Sequence, residues 1–127
     1  MRGVAFWFFF TAIVYVIAGM AFGIHMSAIQ DFELAPAHAH LNLIGWATLA
    51  LCGLYYHLVP KAAEGLLPRI HFVVATLGLW IIIPGIVFAL RQQGEVLAKT
   101  GSVLTILGMV LFLVIVFRSR DRQAAIG

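Results

Sequence analysis

The chain has 127 residues, of which 63% are apolar and 10% charged, and its mean hydropathy is +1.04. Ordinary soluble domains are about 45–50% apolar and about 25% charged. This composition excludes a disordered chain, which needs low hydrophobicity and high charge, and a water-soluble globule, which could not hide so much apolar surface. The single cysteine, Cys52, excludes an intrachain disulfide, a zinc ribbon and a multi-cysteine iron–sulfur site. Net charge is +3, but the basic residues stand at the ends of apolar runs, which makes them topology markers rather than a nucleic-acid surface.

The first uncharged run covers residues 3–30 behind Arg2. A signal peptide has an apolar region of about 7–15 residues, so this much longer run reads as a retained transmembrane helix. Asp31-Phe32-Glu33 closes it, and Pro36 opens the next run at a position suited to the first turn of a helix. That second run, residues 37–59, has no Lys, Arg, Asp or Glu and stops at Pro60-Lys61. A loop containing Glu64, Gly65 and Pro68 leads to Arg69 and the third run, residues 70–90, where Pro84-Gly85 is expected to kink the helix or end its regular part. After a polar turn from Arg91 to Lys99, the fourth run covers residues 100–117, and a polar tail from Ser119 to Gly127 is expected to fray. Each run is long enough for one bilayer crossing of about 20 residues. The sequence therefore predicts a single all-α domain over residues 1–127, an integral membrane four-helix up-down-up-down bundle with helices near 3–30, 36–59, 69–90 and 98–118. A barrel would need alternating segments of about ten residues, and none is present.

Lys and Arg divide unequally between the two ends. Arg2, Lys61, Arg69, Arg118, Arg120 and Arg122 share one side, and Arg91 and Lys99 share the other with Asp31, Glu33 and Glu95. This asymmetry predicts a multi-pass protein with both termini in the cytoplasm and the first loop outside.

The five histidines carry the functional signal, because polar groups inside a membrane segment are costly and normally face the bundle interior. On this topology His25, His38 and His40 form an outer layer, and His57 and His71 lie near the inner face. Helical steps from His25 select Phe22, Ala18, Tyr15 and Thr11 as the inward stripe of the first helix. From His38 the same steps give Asn42, Gly45, Leu49, Cys52, Gly53 and Tyr56, a small and polar face suited to close helix approach. From His40 they give Ile44, Ala47, Leu51 and Leu54, a stripe that faces lipid or a second subunit. His38 is thus the preferred inward ligand, His25 its partner and His40 the reserve.

The segment Ala37-His38-Ala39-His40-Leu41-Asn42-Leu43-Ile44-Gly45-Trp46, running on to Tyr55-Tyr56-His57-Leu58-Val59-Pro60, resembles the second transmembrane helix of haem-copper oxidase subunit I and of nitric oxide reductase large subunits. In that family a histidine near the outer end of this helix binds the low-spin haem. The resemblance implies a haem-ligand role for His38 or His40. The family's second axial histidine and its copper ligands lie on later helices without counterpart in these 127 residues, so oxygen reduction at a haem–copper centre is not implied.

Haem is also reasonable on chemical grounds, since helix bundles hold it between facing helices with axial imidazoles and apolar or aromatic walls. Phe22, Trp46, Trp80 and Phe88 supply aromatics, and Gly45 and Gly53 allow close approach. A b-type haem is expected, because no Cys-x-x-Cys-His is present. Two other readings stay open. The same three histidines with Asp31, Glu33 and Met26 offer a donor set for copper or zinc. Alternatively, the chain is a cofactor-free structural or assembly subunit whose histidines only tie helices together. His57 and His71 read as interfacial residues, and Cys52 as packing. A homo-oligomer is expected from the His40 stripe together with Gly101 and Gly108. No nucleophile–base pair, paired intramembrane carboxylates or phosphate loop is present, which leaves electron transfer to a redox partner, or gas or redox sensing, ahead of an enzyme.

Overall fold

The computed structural model describes the backbone of residues 1–124 and the side chains of residues 1–120. Four helices long and apolar enough to cross a membrane follow one another up and down: α1 (Gly3–Ile29), α2 (Ala35–Leu58), α3 (Leu67–Leu90) and α4 (Val96–Ala124). The chain is a multi-pass membrane protein with an all-α four-helix fold. One end of the bundle carries Arg2, Lys61, Arg69, Arg118 and Arg120 (the basic end), and the other carries the α1–α2 and α3–α4 loops with Asp31, Glu33 and Glu95 (the acidic end). The side chain of Arg122 lies outside the described residues, as do residues 125–127 of the expected frayed tail.

The helices add detail to the sequence reading at three places. The fourth helix begins at Val96 and continues past Ser119 to Ala124, because the polar tail adds helix-compatible residues without Pro or Gly up to that point. The third helix ends at Leu90, as expected, and stays helical through Pro84. Over this stretch α3 is clamped to α4, where a Cβ added at Gly85 would run into the backbone of Leu97 and Ala98. The second helix contains an eight-residue π-helical segment, Leu41–Thr48, between α-helical Ala35–His40 and Leu49–Leu58. The Thr48 hydroxyl donates to the Leu43 carbonyl five residues back at 2.8 Å, which satisfies an acceptor within the widened turns.

The helices pair as two hairpins closed by small residues. In α1–α2, a Cβ at Gly53 would lie 2.9 Å from the Phe9 nitrogen and one at Gly45 3.0 Å from the Tyr15 Cβ. In α3–α4, Gly78, Gly85, Gly101 and Gly108 bring the backbones together, with Gly108 opposite Ala75. Gly101 and Gly108 are therefore used within the chain, which corrects the expectation that they form a surface for a second copy. Small residues let helices approach where lipid offers no hydrophobic drive to associate.

The inward face of α1 is Ala5, Phe8, Ala12, Gly19 and Met26, and not the stripe through His25. Ala18 and His25 are exposed, while Thr11, Tyr15 and Phe22 are only partly covered. Thr11 is no guide to the interior because its hydroxyl donates to its own helix, to the Trp7 carbonyl at 2.7 Å. On α2 the predicted inward set holds: Gly45, Leu49, Cys52, Gly53 and Tyr56 are buried. Together with Ala5, Phe8, Ala12 and Ile115, several of these form the main core, which lies toward the basic end.

Gly101 and Gly108 make a controlled pair for testing this packing. A Cβ at Gly101 would stand 2.7 Å from the Ile82 Cβ, and one at Gly108 would find ordinary contact at 3.6 Å from the Ala75 Cα. Gly101→Ala should destabilise the protein by about 1–3 kcal/mol, and Gly108→Ala by much less, as read from unfolding midpoints in mild detergent.

Candidate functional site

Two polar layers lie within the spanning helices, one near each end. At the acidic end, α2 begins with Pro36 in its first turn and places His38 and His40 at the junction with the π segment. Two residues apart on a helix, they leave on nearly opposite sides. His38 turns inward to α1. Its ring meets Phe22 edge-on at 6.0 Å, and a Cβ at Gly23 would lie 3.0 Å from its Cε1. The Asn42 amide donates to His38 Nε2 at 3.3 Å, and Asn42 itself fills the space that Gly19 leaves open. His38 Nδ1 and Asn42 Oδ1 are buried without a hydrogen-bond partner.

His40 is exposed, and its Nδ1 lies 2.7 Å from the Pro36 carbonyl oxygen. A carbonyl can only accept, so this bond puts the proton on Nδ1 and leaves the Nε2 lone pair free. Ligating histidines are commonly oriented in this way, by donating the other ring N–H to a backbone carbonyl. The surface beside it on α2 is apolar, with Leu43 and Leu51 63% and 66% exposed.

These positions redistribute the predicted site. His38, the first choice as ligand, is hydrogen-bonded to Asn42 and packed against Gly23 of α1. Gly45 is closed off by Tyr15 and Leu79, and Trp46 rests near Phe9 with ring centroids 6.4 Å apart. His25, one turn beyond Phe22 on α1, is exposed. Among the described residues, no three His, Cys, Asp or Glu side chains are grouped to hold a metal ion. Asp31 accepts from the Glu33 amide at 3.0 Å, Glu33 faces Arg91 at 3.7 Å, and Met26 is buried.

Toward the basic end each helix contributes one ring to a buried knot. His71 of α3 and Tyr56 of α2 are each 1% exposed, and His71 Nδ1 and the Tyr56 hydroxyl are hydrogen-bonded at 2.8 Å. Phe112 of α4 stacks on the imidazole at 5.3 Å and 21°, and Phe8 of α1 lies against it at 4.8 Å. Next to the knot, Tyr55 and Ser119 are hydrogen-bonded at 2.6 Å, and Ser119 donates to the Val116 carbonyl. In mid-span, the Trp80 indole donates to the Tyr15 hydroxyl at 2.8 Å, joining α3 to α1. His57 is exposed.

The interfacial reading thus suits His57 but not His71, whose partner was visible only as Tyr56 on the inward stripe of α2. The Pro36–His40 bond likewise had a signal in the four-residue spacing. No family model matches the chain, and comparison with curated proteins and with solved structures found no match.

Tyr56→Phe strands a buried imidazole nitrogen and should cost about 1–3 kcal/mol. In the double variant Tyr56→Phe/His71→Phe both polar partners are gone, so part of that loss should return. His57→Ala should be close to neutral. A double-mutant cycle on unfolding midpoints checks all three expectations.

Proposed function

We propose that this chain is a small haem-binding membrane protein that offers His40 as an axial ligand on the lipid-facing side of α2. The hydrogen bond of His40 Nδ1 to Pro36 carries the reading, because it prepares Nε2 for an iron beside an apolar surface that a macrocycle can cover. The resemblance of the segment around His38 and His40 to haem-copper oxidase subunit I supports the same ligand role. A bound b-type haem supplies a one-electron couple or a gas-binding site, and the role that follows is electron transfer to a redox partner, or sensing, rather than turnover of a substrate.

The two-residue offset of His40 from His38 turns this exposed imidazole away from the α1–α2 contact. A six-coordinate iron would therefore take its second imidazole from His40 of a second copy, making the protein a homodimer. Copper or zinc is less well served, since a mononuclear site needs more donors than the outer layer gathers in one chain. The same reading has the protein in the bacterial inner membrane, and the excess of basic residues at one end, six against two, supports an orientation with both termini in the cytoplasm.

Absorption spectra of the purified protein test this assignment. The wild type should show sharp low-spin bands on reduction, with one haem for every two chains. His40→Ala should abolish them, while His25→Ala should leave them in place. Undiminished bands in His40→Ala, or a wild type that copurifies with copper or zinc and no haem, would overturn it.

A further inference from the structure

A cleft of about 480 Å³ opens at the basic end between the 3₁₀ turn Pro60–Ala63, the start of α3 and the last turns of α4. Its polar lining is Lys61, Glu64, Arg118 and Ser119, and its apolar lining includes Pro68 and Ile115. Lys61 and Arg118 are exposed and form no ion pair among the described residues. They come from different elements that the fold brings to one opening. The start of α3 has no side-chain cap, so its first amides add positive potential to the same space. All of these groups stand where the spanning helices end, at the level of lipid headgroups.

We infer that this cleft binds the phosphate of an anionic phospholipid headgroup. Two cations and an uncapped helix start suit a phosphate, and Pro68 and Ile115 suit the glycerol and the first acyl carbons. Basic pockets between transmembrane helices are established headgroup sites. The Glu64 carboxylate opposes the anion, so it sets the sign of a second test. This inference is independent of any haem at the opposite end.

The experiment uses the full-length protein in mild detergent, with unfolding temperature and lipid retention in native mass spectrometry as readouts. Phosphatidylglycerol should be retained and raise the unfolding temperature, whereas phosphatidylcholine and inorganic phosphate should do neither. The double variant Lys61→Gln/Arg118→Gln should lose affinity for phosphatidylglycerol about 30-fold. Glu64→Gln should increase that affinity, and Lys99→Gln, at the other end, should not change it. Equal retention of phosphatidylcholine would show a purely apolar groove and overturn the inference. Equal protection by inorganic phosphate would reassign the cleft to free anions, and an unaltered double variant would remove the cations from the site.

Discussion

Lipid gives helices no hydrophobic reason to associate, so this bundle is held by what lipid cannot offer: close backbone approach and partners for polar groups. The Tyr56–His71 hydrogen bond is the centre of that arrangement. Neither group can turn to water, and the two aromatic rings over the imidazole come from the two remaining helices. Removing the knot would leave each hairpin zipped by its glycines but the hairpins joined chiefly through Tyr15–Trp80 and the polar contact of Tyr55 with Ser119. The burial of large side chains follows the same logic. Most of the bulky apolar surface faces outward, and the buried positions are filled largely by Ala, Gly and a few rings.

Spans, their number and their alternation were legible because hydropathy in lipid is a coarse and strong signal, set by uncharged length. The inward face of α2 was legible too, since Gly45, Cys52, Gly53 and Tyr56 differ in size or polarity from the surrounding leucines. The face of α1 was not. Its contacts are made by Ala5, Ala12 and Gly19, which are quiet residues in a run of small and large apolar ones, while the audible polar residues Thr11 and His25 lie away from the centre of the contact. Polarity marks a helix interior only when its hydrogen bonds are not already met within its own helix.

The histidines were legible in the sequence as a set, and the inward direction of His38 with them; the hydrogen bond that orients His40 was not. Helical stepping told which imidazole points inward, and inward was equated with ligating. The packing of His38 on Gly23 shows the difference. An inward group in a tight two-helix interface is enclosed by its neighbour, whereas an outward group with one nitrogen already occupied stays available. Pro36 contributes twice to that availability. It starts the helix, and its carbonyl holds His40.

The π segment of α2 gives the two ends of that helix separate phases. Each residue advances an α-helix by about 100°, and a π turn absorbs an extra residue without breaking the helix. The azimuth of His40 is therefore uncoupled from that of Tyr56, although both sit on one continuous rod. Re-forming Leu41–Thr48 as an uninterrupted α ladder at its present length would swing the histidines around the axis by roughly 100° relative to Tyr56. Deleting one residue of the segment would instead restore the ladder and leave both ends near their present azimuths. A one-residue deletion there is thus absorbed by both ends of α2, while a change of helix type without a change of length turns its membrane-facing chemistry against its packed half.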